Sequence, residues 1–232
     1  MTSLKHIPSQ KLPDIKASDL PRVYRVLRKE FGHQRWWPGE TPLEIMIGAI
    51  LTQNTAWTNV EKAIRNLKKA KKLSYPALCT ISKKTLARLI RPAGYYNLKA
   101  DRLKHFIDFL ERECRGDLSQ LREQSTAELR AKLLEVKGIG PETADSIVLY
   151  AFGKPSFVID AYTKRIFSRH RLAPVSWEYH DWKRLFEKAL PRKLELYNDF
   201  HAQIVKLAKD HCRREPRCEF CPLGRKKEAK LF

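Results

Sequence analysis

Three groups of residues in this 232-residue chain could do chemistry by their types and spacing. The first is the run Leu133-Leu-Glu-Val-Lys-Gly-Ile-Gly-Pro-Glu-Thr-Ala-Asp-Ser-Ile147. An apolar helical pattern ends there, Gly138 and Gly140 open backbone angles closed to other residues, and Pro141 sits where a first helical turn tolerates a missing N–H. Amides at such a helix start point outward toward a natural phosphate site, with Lys137 placed to add its charge. A plain tight turn uses the same glycines, and spacing alone does not choose between the two. The second group is Gly153-Lys-Pro-Ser-Phe-Val-Ile-Asp160, a Gly/Pro loop that delivers one carboxylate to the start of another helix. Asp160 there can cap the helix beginning near Ala161, stabilise positive charge on a reacting group, or do both. The third group is Cys212, Cys218 and Cys221, crowded into the last 21 residues while Cys79 and Cys114 stand alone. An odd count with this clustering is not a disulfide framework.

The elements that must position these groups read as helices throughout. Apolar residues recur at three- and four-residue spacing at Leu43, Met46, Ile47, Ile50 and Leu51, as one buried helical face requires. The rhythm returns at Val60, Ile64 and Leu67, at Leu86, Leu89 and Ile90, at Leu103 to Leu110, and at Leu129 to Leu134. It continues at Ala144 to Ala151, at Leu185 and Ala189, and at Ile204, Val205 and Ala208. The spacing predicts about eight to ten helices in an all-α fold. Breaks fall at Trp37-Pro38-Gly39, Pro76, Arg91 to Gly94, Gly138 to Pro141, Gly153 to Pro155 and Pro174. The turns at Gly94 and at Gly138 to Gly140 each join a helix end to a new helix start, which suggests two helical hairpins.

Forty-six Lys and Arg against 26 Asp and Glu give a net charge of +20. Such a surplus points to a polyanionic partner, nucleic acid ahead of an acidic membrane surface. An apolar fraction of 43 % with 10 % aromatics excludes disorder for the bulk of the chain. No apolar run approaches the roughly 18 residues of a membrane span, and no secretory signal opens the chain. The sequence therefore reads as a soluble, cytoplasmic protein with no membrane partner. Residues 1 to about 20 read as a flexible basic arm, and residues 224–232 as a basic tail.

The hairpin, the Gly/Pro loop and Asp160 together resemble the helix-hairpin-helix DNA glycosylases of the endonuclease III superfamily. Ile50-Leu-Thr-Gln-Asn-Thr55 resembles the block that carries the side chain filling the gap left by an extruded base, and Arg91-Pro-Ala-Gly-Tyr-Tyr-Asn-Leu-Lys-Ala100 resembles the turn before the central helix. The resemblance spans about Trp36 to Cys221. It implies a two-lobed helical fold with a DNA cleft between the lobes, in one domain over residues 21–223. One lobe is expected at about 45–155, the second from 21–44 plus 156–211, and a cysteine loop at 212–221.

Roles follow from the resemblance residue by residue. Asp160 is implied to be catalytic, since breaking an N-glycosidic bond builds positive charge on the sugar that an ionised carboxylate stabilises. Gln53 is implied to fill the gap, and Lys137, Gly138 and Gly140 to hold the DNA backbone. Bifunctional members carry a lysine two residues past the second hairpin glycine; here the position is Glu142, and a carboxylate cannot form a Schiff base. A monofunctional glycosylase is therefore expected. Trp36-Trp37-Pro38 together with Trp57 looks like the 3-methyladenine DNA glycosylases of endonuclease III type, which places Trp57, Trp36, Trp37 and Glu142 around the base pocket. An electron-rich indole attracts a cationic alkylated purine by cation–π interaction. Trp177 and Trp182 carry no motif and read as packing. A lysine on the last helix of the alkyl-base enzymes is matched here by Gln203.

The C-terminal stretch resembles the superfamily's iron–sulfur loop, where four cysteines hold a [4Fe–4S] cluster. This chain supplies Cys212, Cys218 and Cys221, with Lys227 near the fourth position. A cluster with a non-cysteine ligand such as His211, a zinc site, and a metal-free remnant all stay open. The implied partner is double-stranded DNA with a damaged base, bound by a monomer. Two other readings remain: an endonuclease III-like glycosylase/AP lyase or mismatch glycosylase, and a non-catalytic DNA-binding hairpin module.

Overall fold

A computed structural model describes residues 12–36 and 39–224, and these residues contain helices and turns with no strand. In chain order come α1 (Leu20–Phe31), α2 (Pro42–Leu51), α3 (Trp57–Lys69), α4 (Tyr75–Thr80), α5 (Lys83–Leu89) and α6 (Tyr96–Cys114). Then follow α7 (Leu118–Glu123), α8 (Thr126–Leu134), α9 (Pro141–Ser146), α10 (Ala161–Arg169), α11 (Tyr179–Ala189) and α12 (Leu194–Asp210). A π-helical segment, Ile147–Ala151, extends α9. The all-α expectation holds, but with twelve α-helices among the described residues rather than eight to ten. The six-residue helices α4 and α7 are too short to show a period. Pro76, expected as a break, lies in the first turn of α4, where its missing N–H removes no helical bond.

The chain divides into two units: described residues within 1–35, 159–192 and 199–232 form one, and 36–158 with 193–198 the other. The expected lobe borders at 44–45 and 155–156 thus fall at 35–36 and 158–159. Residues 193–198 join the larger unit, where the Tyr197 ring meets Phe157 edge-on at 5.2 Å. Of the expected N-terminal arm, residues 1–11 lie outside the described residues. Residues 12–20 are packed: Ile15 is buried, its amide donates to His170 O at 2.9 Å, and Pro13 O contacts the His170 ring. The basic tail beyond Gly224 lies outside the described residues.

In the larger unit, α2 is apolar apart from Glu44, which pairs with Lys68, and its buried residues share one core with Val60 and Leu67 of α3, Leu103 and Phe106 of α6, and Ile147 of the π segment. Its start is set by Thr41, whose hydroxyl accepts the Glu44 amide at 3.2 Å. Ser125 and Glu128 form a reciprocal capping box at the start of α8. In the smaller unit, aromatic rings make the core. Phe186 meets Phe167 at 5.1 Å and Phe200 at 6.2 Å, with Trp182 fully buried beside it. Trp182 is packing, as expected, whereas Trp177 is 40 % exposed.

Candidate active site

The hairpin is built on one glycine rather than two. Gly138 sits at φ +93°, and a Cβ there would lie 2.4 Å from Arg102 Cγ, so backbone angle and space both require glycine. Gly140, expected to need the same freedom, has φ −91° and ψ 176° and open space around it, angles any residue adopts. It is the N-cap of α9, and Pro141 opens the helix as expected. Buried Val136 and Ile139 anchor the turn, while Lys137 is exposed on it. Glu142 is exposed in the first turn of α9. Beneath the turn, the fully buried Asp145 takes a two-pronged bond from Arg130 at 2.8 and 3.2 Å, tying α9 to α8.

Gln53 reaches this hairpin. It lies in the turn Thr52–Thr55 after α2, and its amide nitrogen donates to Gly138 O at 3.0 Å and Thr143 Oγ1 at 2.9 Å. Its amide oxygen accepts from the Arg102 guanidinium. Gln53, Gly138 and Arg102 of α6 are therefore one network, and filling a gap in DNA would require the Gln53 side chain to leave it. Lys99, one helical turn before Arg102, is 1 % exposed. Its ammonium donates to Leu51 O, Thr55 Oγ1 and Ala93 O at 2.8, 2.7 and 2.8 Å. Burial, with Arg102 adding repulsion, lowers its pKa to about 8.

Trp57 is the first residue of α3, half-buried against the core, with its indole N–H donating to Glu61 at 2.9 Å. Trp36 is half-buried, and Trp37 lies outside the described residues. Tyr95, which the sequence reading passed over, is 70 % exposed at φ +44° in the second hairpin turn. A protruding ring in a strained backbone conformation was its only signal, and that signal exists in three dimensions alone. Such a ring can stack on a nucleic-acid base.

Asp160 caps α10. Its Oδ1 accepts the Thr163 amide at 2.7 Å and the Thr163 hydroxyl at 2.8 Å. Oδ2 faces His201 Nε2 at 3.5 Å; the two side chains are 12 % and 8 % exposed. Burial by itself would raise the Asp160 carboxyl, but the hydrogen bond and charge of His201 together with the Thr163 donors hold it below the ordinary range. The expected catalytic carboxylate is thus also the helix cap. His201 has no sequence motif; only the approach of α12 to α10 identifies it. Gln203, two residues on, is fully buried, donates to Gly32 O at 2.6 Å and lies beside Asp199.

Cys212, Cys218 and Cys221 line one narrow apolar pocket with His211 and Arg169. Burial pushes the Cys221 thiol up to about 12 and raises Cys218 as well. Arg169 donates to Cys212 Sγ at 3.2 Å and to the carbonyls of Arg213 and Arg214, while the His211 ring stacks on Phe31 at 6.0 Å. Three thiols are one short of a four-thiolate cluster. Among the described residues no three His, Cys, Asp or Glu side chains are gathered to hold one metal ion. Lys227 lies outside the described residues. The described donor set does not fit a [4Fe–4S] cluster. Arg213, Arg214 and Arg217 are exposed on this loop.

No helix among the described residues is long and apolar enough to cross a membrane. Comparison with known proteins bears on the arrangement as a whole. Residues 47–192 match the family described as HhH-GPD superfamily base excision DNA repair protein. A candidate DNA repair glycosylase of Methanocaldococcus jannaschii is 47 % identical over 87 % of this chain and 92 % of its own length. The Helicobacter pylori 3-methyladenine DNA glycosylase bound to 1,N6-ethenoadenine superposes with a TM-score of 0.72 at 28 % identity, covering 84 % of this chain and 98 % of the other. A non-covalent endonuclease III–DNA complex gives 0.77 at 21 % identity, over 90 % and 94 % of the two chains, and shares the fold. With the hairpin, the Gly/Pro loop and Asp160 all inside the matched span, this chain belongs to the HhH-GPD superfamily of base excision DNA repair proteins and is a DNA glycosylase, a hydrolase of N-glycosyl bonds.

Proposed function

We propose that this glycosylase is monofunctional and removes alkylated, 3-methyladenine-like bases, leaving an abasic site. The observation that carries hydrolysis is Asp160, held ionised with Oδ1 committed to Thr163 and Oδ2 facing, among the described residues, His201. As the glycosidic bond breaks, positive charge grows on the sugar; an ionised carboxylate stabilises it and can orient the attacking water. An alkylated purine is already cationic and leaves without being protonated, so one carboxylate suffices. Trp57, with Trp36 and Trp37, supplies indole faces for that cation, worth about 0.5–2 kcal/mol over a neutral base. Glu142 takes the base-pocket edge.

The absence of lyase chemistry rests on Glu142, which cannot form a Schiff base. Lys99, the lysine whose pKa is lowered to about 8, is buried beneath three acceptors and so is not available as a nucleophile. Lys137 and the amides of the Gly138–Gly140 turn hold backbone phosphates, Gln53 fills the gap, and the enzyme works as a monomer on DNA in the cytoplasm.

The test is release of free base from methylated duplex DNA, and separately from duplexes with uracil, thymine glycol or G·T pairs. The expected result is 3-methyladenine release with no adduct trapped by borohydride. Release confined to uracil or thymine overturns the substrate assignment, and a borohydride-trapped adduct overturns the monofunctional one.

A further inference from the structure

The turn Thr52–Thr55 carries Gln53, and both its ends are held by one side chain from another helix. Lys99 Nζ has three N–H donors, and it spends them on Leu51 O at the end of α2, Thr55 Oγ1 at the far end of the turn, and Ala93 O. Thr55 Oγ1 itself donates to Ala93 O, so the turn is fastened to the second hairpin as well. Between these fixed ends, Asn54 adopts φ +53°, and the turn is closed by the Thr55 amide on Thr52 O at 3.0 Å. Among the described residues no carboxylate is bonded to the ammonium, and the charged neighbour that repels it is Arg102, which bonds the Gln53 amide oxygen. Helix α6 therefore handles the turn twice: Lys99 grips its backbone, and Arg102 holds its side chain.

We propose that Lys99 is the positioning residue of this turn, keeping its backbone in place while the Gln53 side chain exchanges Gly138 and Arg102 for the gap in the DNA. The inference rests on the gap-filling reading of Gln53. A buried ammonium is an expensive way to cap a helix, and it is suited to a turn that must keep its shape after one of its side chains has let go. When Lys99 loses its proton, one of the three donors becomes a lone pair aimed at an oxygen, and the grip fails at one point. Unfolding stability changes in the opposite sense. Between about 8 and 10.5 the native chain binds fewer protons than the unfolded one at this residue, so its contribution to stability rises with pH.

The experiment uses the full chain and a duplex carrying 2-aminopurine beside a tetrahydrofuran abasic analogue, whose fluorescence reports unstacking at the gap whatever base the enzyme prefers. At saturating wild-type protein the signal should fall severalfold between pH 7 and 9.5, while stability relative to Lys99→Met rises over the same range. Lys99→Met should lose most of the signal at pH 7, be flat with pH, and bind undamaged duplex within about twofold of wild type. Full signal from folded Lys99→Met, or a wild-type signal that does not change with pH, overturns the proposal; if Lys99→Met does not fold, the wild-type titration decides. Gln53→Ala separates the premise: full signal from Gln53→Ala removes the gap-filling reading, whereas loss there with full signal in Lys99→Met removes only the role of Lys99.

Discussion

Asp160 and Asp199 are two buried carboxylates in the same structural unit, and they are solvated by protein in different ways. Burial pushes both upward, and in both the surrounding donors win, holding each below the ordinary carboxylate range. Asp199, 1 % exposed, receives the Gln34 amide at 2.9 Å, the Arg28 guanidinium at 2.8 Å and the Tyr24 hydroxyl at 3.0 Å, with the Gln203 amide nitrogen at 3.3 Å. Both its oxygens are saturated, and it joins α1, the loop after it and α12. Among the described residues Asp160 receives two short bonds, both from Thr163 and both on Oδ1, and Oδ2 has the longer approach to His201. A carboxylate whose lone pairs are all taken holds a fold together. One that is kept ionised with an oxygen in reserve can serve a developing cation.

The largest effect should come from Asp160→Asn. Asparagine caps a helix about as well as aspartate, so the cap survives and stability should fall only by the charge-assisted part of the Thr163 and His201 interactions, about 1 kcal/mol. Base release under single-turnover conditions should fall by about 10²- to 10⁴-fold, because the charge that stabilises the sugar is gone. Wild-type release from this variant would erase the distinction between the two carboxylates. Asp199→Asn should do the reverse. Losing the charge opposite Arg28 and turning an acceptor into a donor should cost about 2 kcal/mol in urea unfolding. The rate per folded molecule should stay within a fewfold of wild type. A folded Asp199→Asn protein that releases no base would show that this carboxylate also belongs to the chemistry.

These two residues also mark how far sequence reasoning reaches. Asp160 was legible as a helix cap from the Gly/Pro loop and helix start that bracket it, and its catalytic role was implied by the family resemblance alone. Asp199 was not, since its partners Arg28 and Gln34 lie more than 160 positions away and only the packing of α12 on α1 brings them together. The long helices were legible from their apolar period, α2, α3 and α6 among them, and short α4 and α7 were not. His201 and Lys99 were invisible for a related reason: polar residues in a helix read as solvent-facing until tertiary partners bury them. Gln53 was singled out from its motif, but its bonds to Gly138 and Arg102 depend on where α6 and the hairpin pass.

Acid unfolding should be governed by both carboxylates. Each is depressed in the native state, so the unfolded chain binds more protons as pH drops through the ordinary value of 3.8, and the stability they supply is lost from there downward. Measured by urea midpoint against pH, Asp199→Asn should flatten this acid loss. An unchanged acid slope in Asp199→Asn would mean that its donors contribute nothing to keeping it ionised.

The finest distinction comes from deleting one hydroxyl beside each carboxylate. Thr163→Ala removes the hydroxyl on Asp160 Oδ1 and leaves the amide bond of the helix cap; Tyr24→Phe removes the phenol from Asp199 and leaves Arg28, Gln34 and Gln203. Each deletion should cost about 1 kcal/mol or less of stability. In carboxyl-carbon NMR titrations, the Asp160 signal should move upward in Thr163→Ala, because a bond favouring the charged form is gone. Asp199 should move upward in Tyr24→Phe for the same reason, although the Arg28 charge remains to hold it low. Only the first substitution should also slow base release, by less than about tenfold, since only there does the weakened carboxylate face the reaction. If both slow release equally, the oxygen held in reserve at Asp160 is not what distinguishes the two sites.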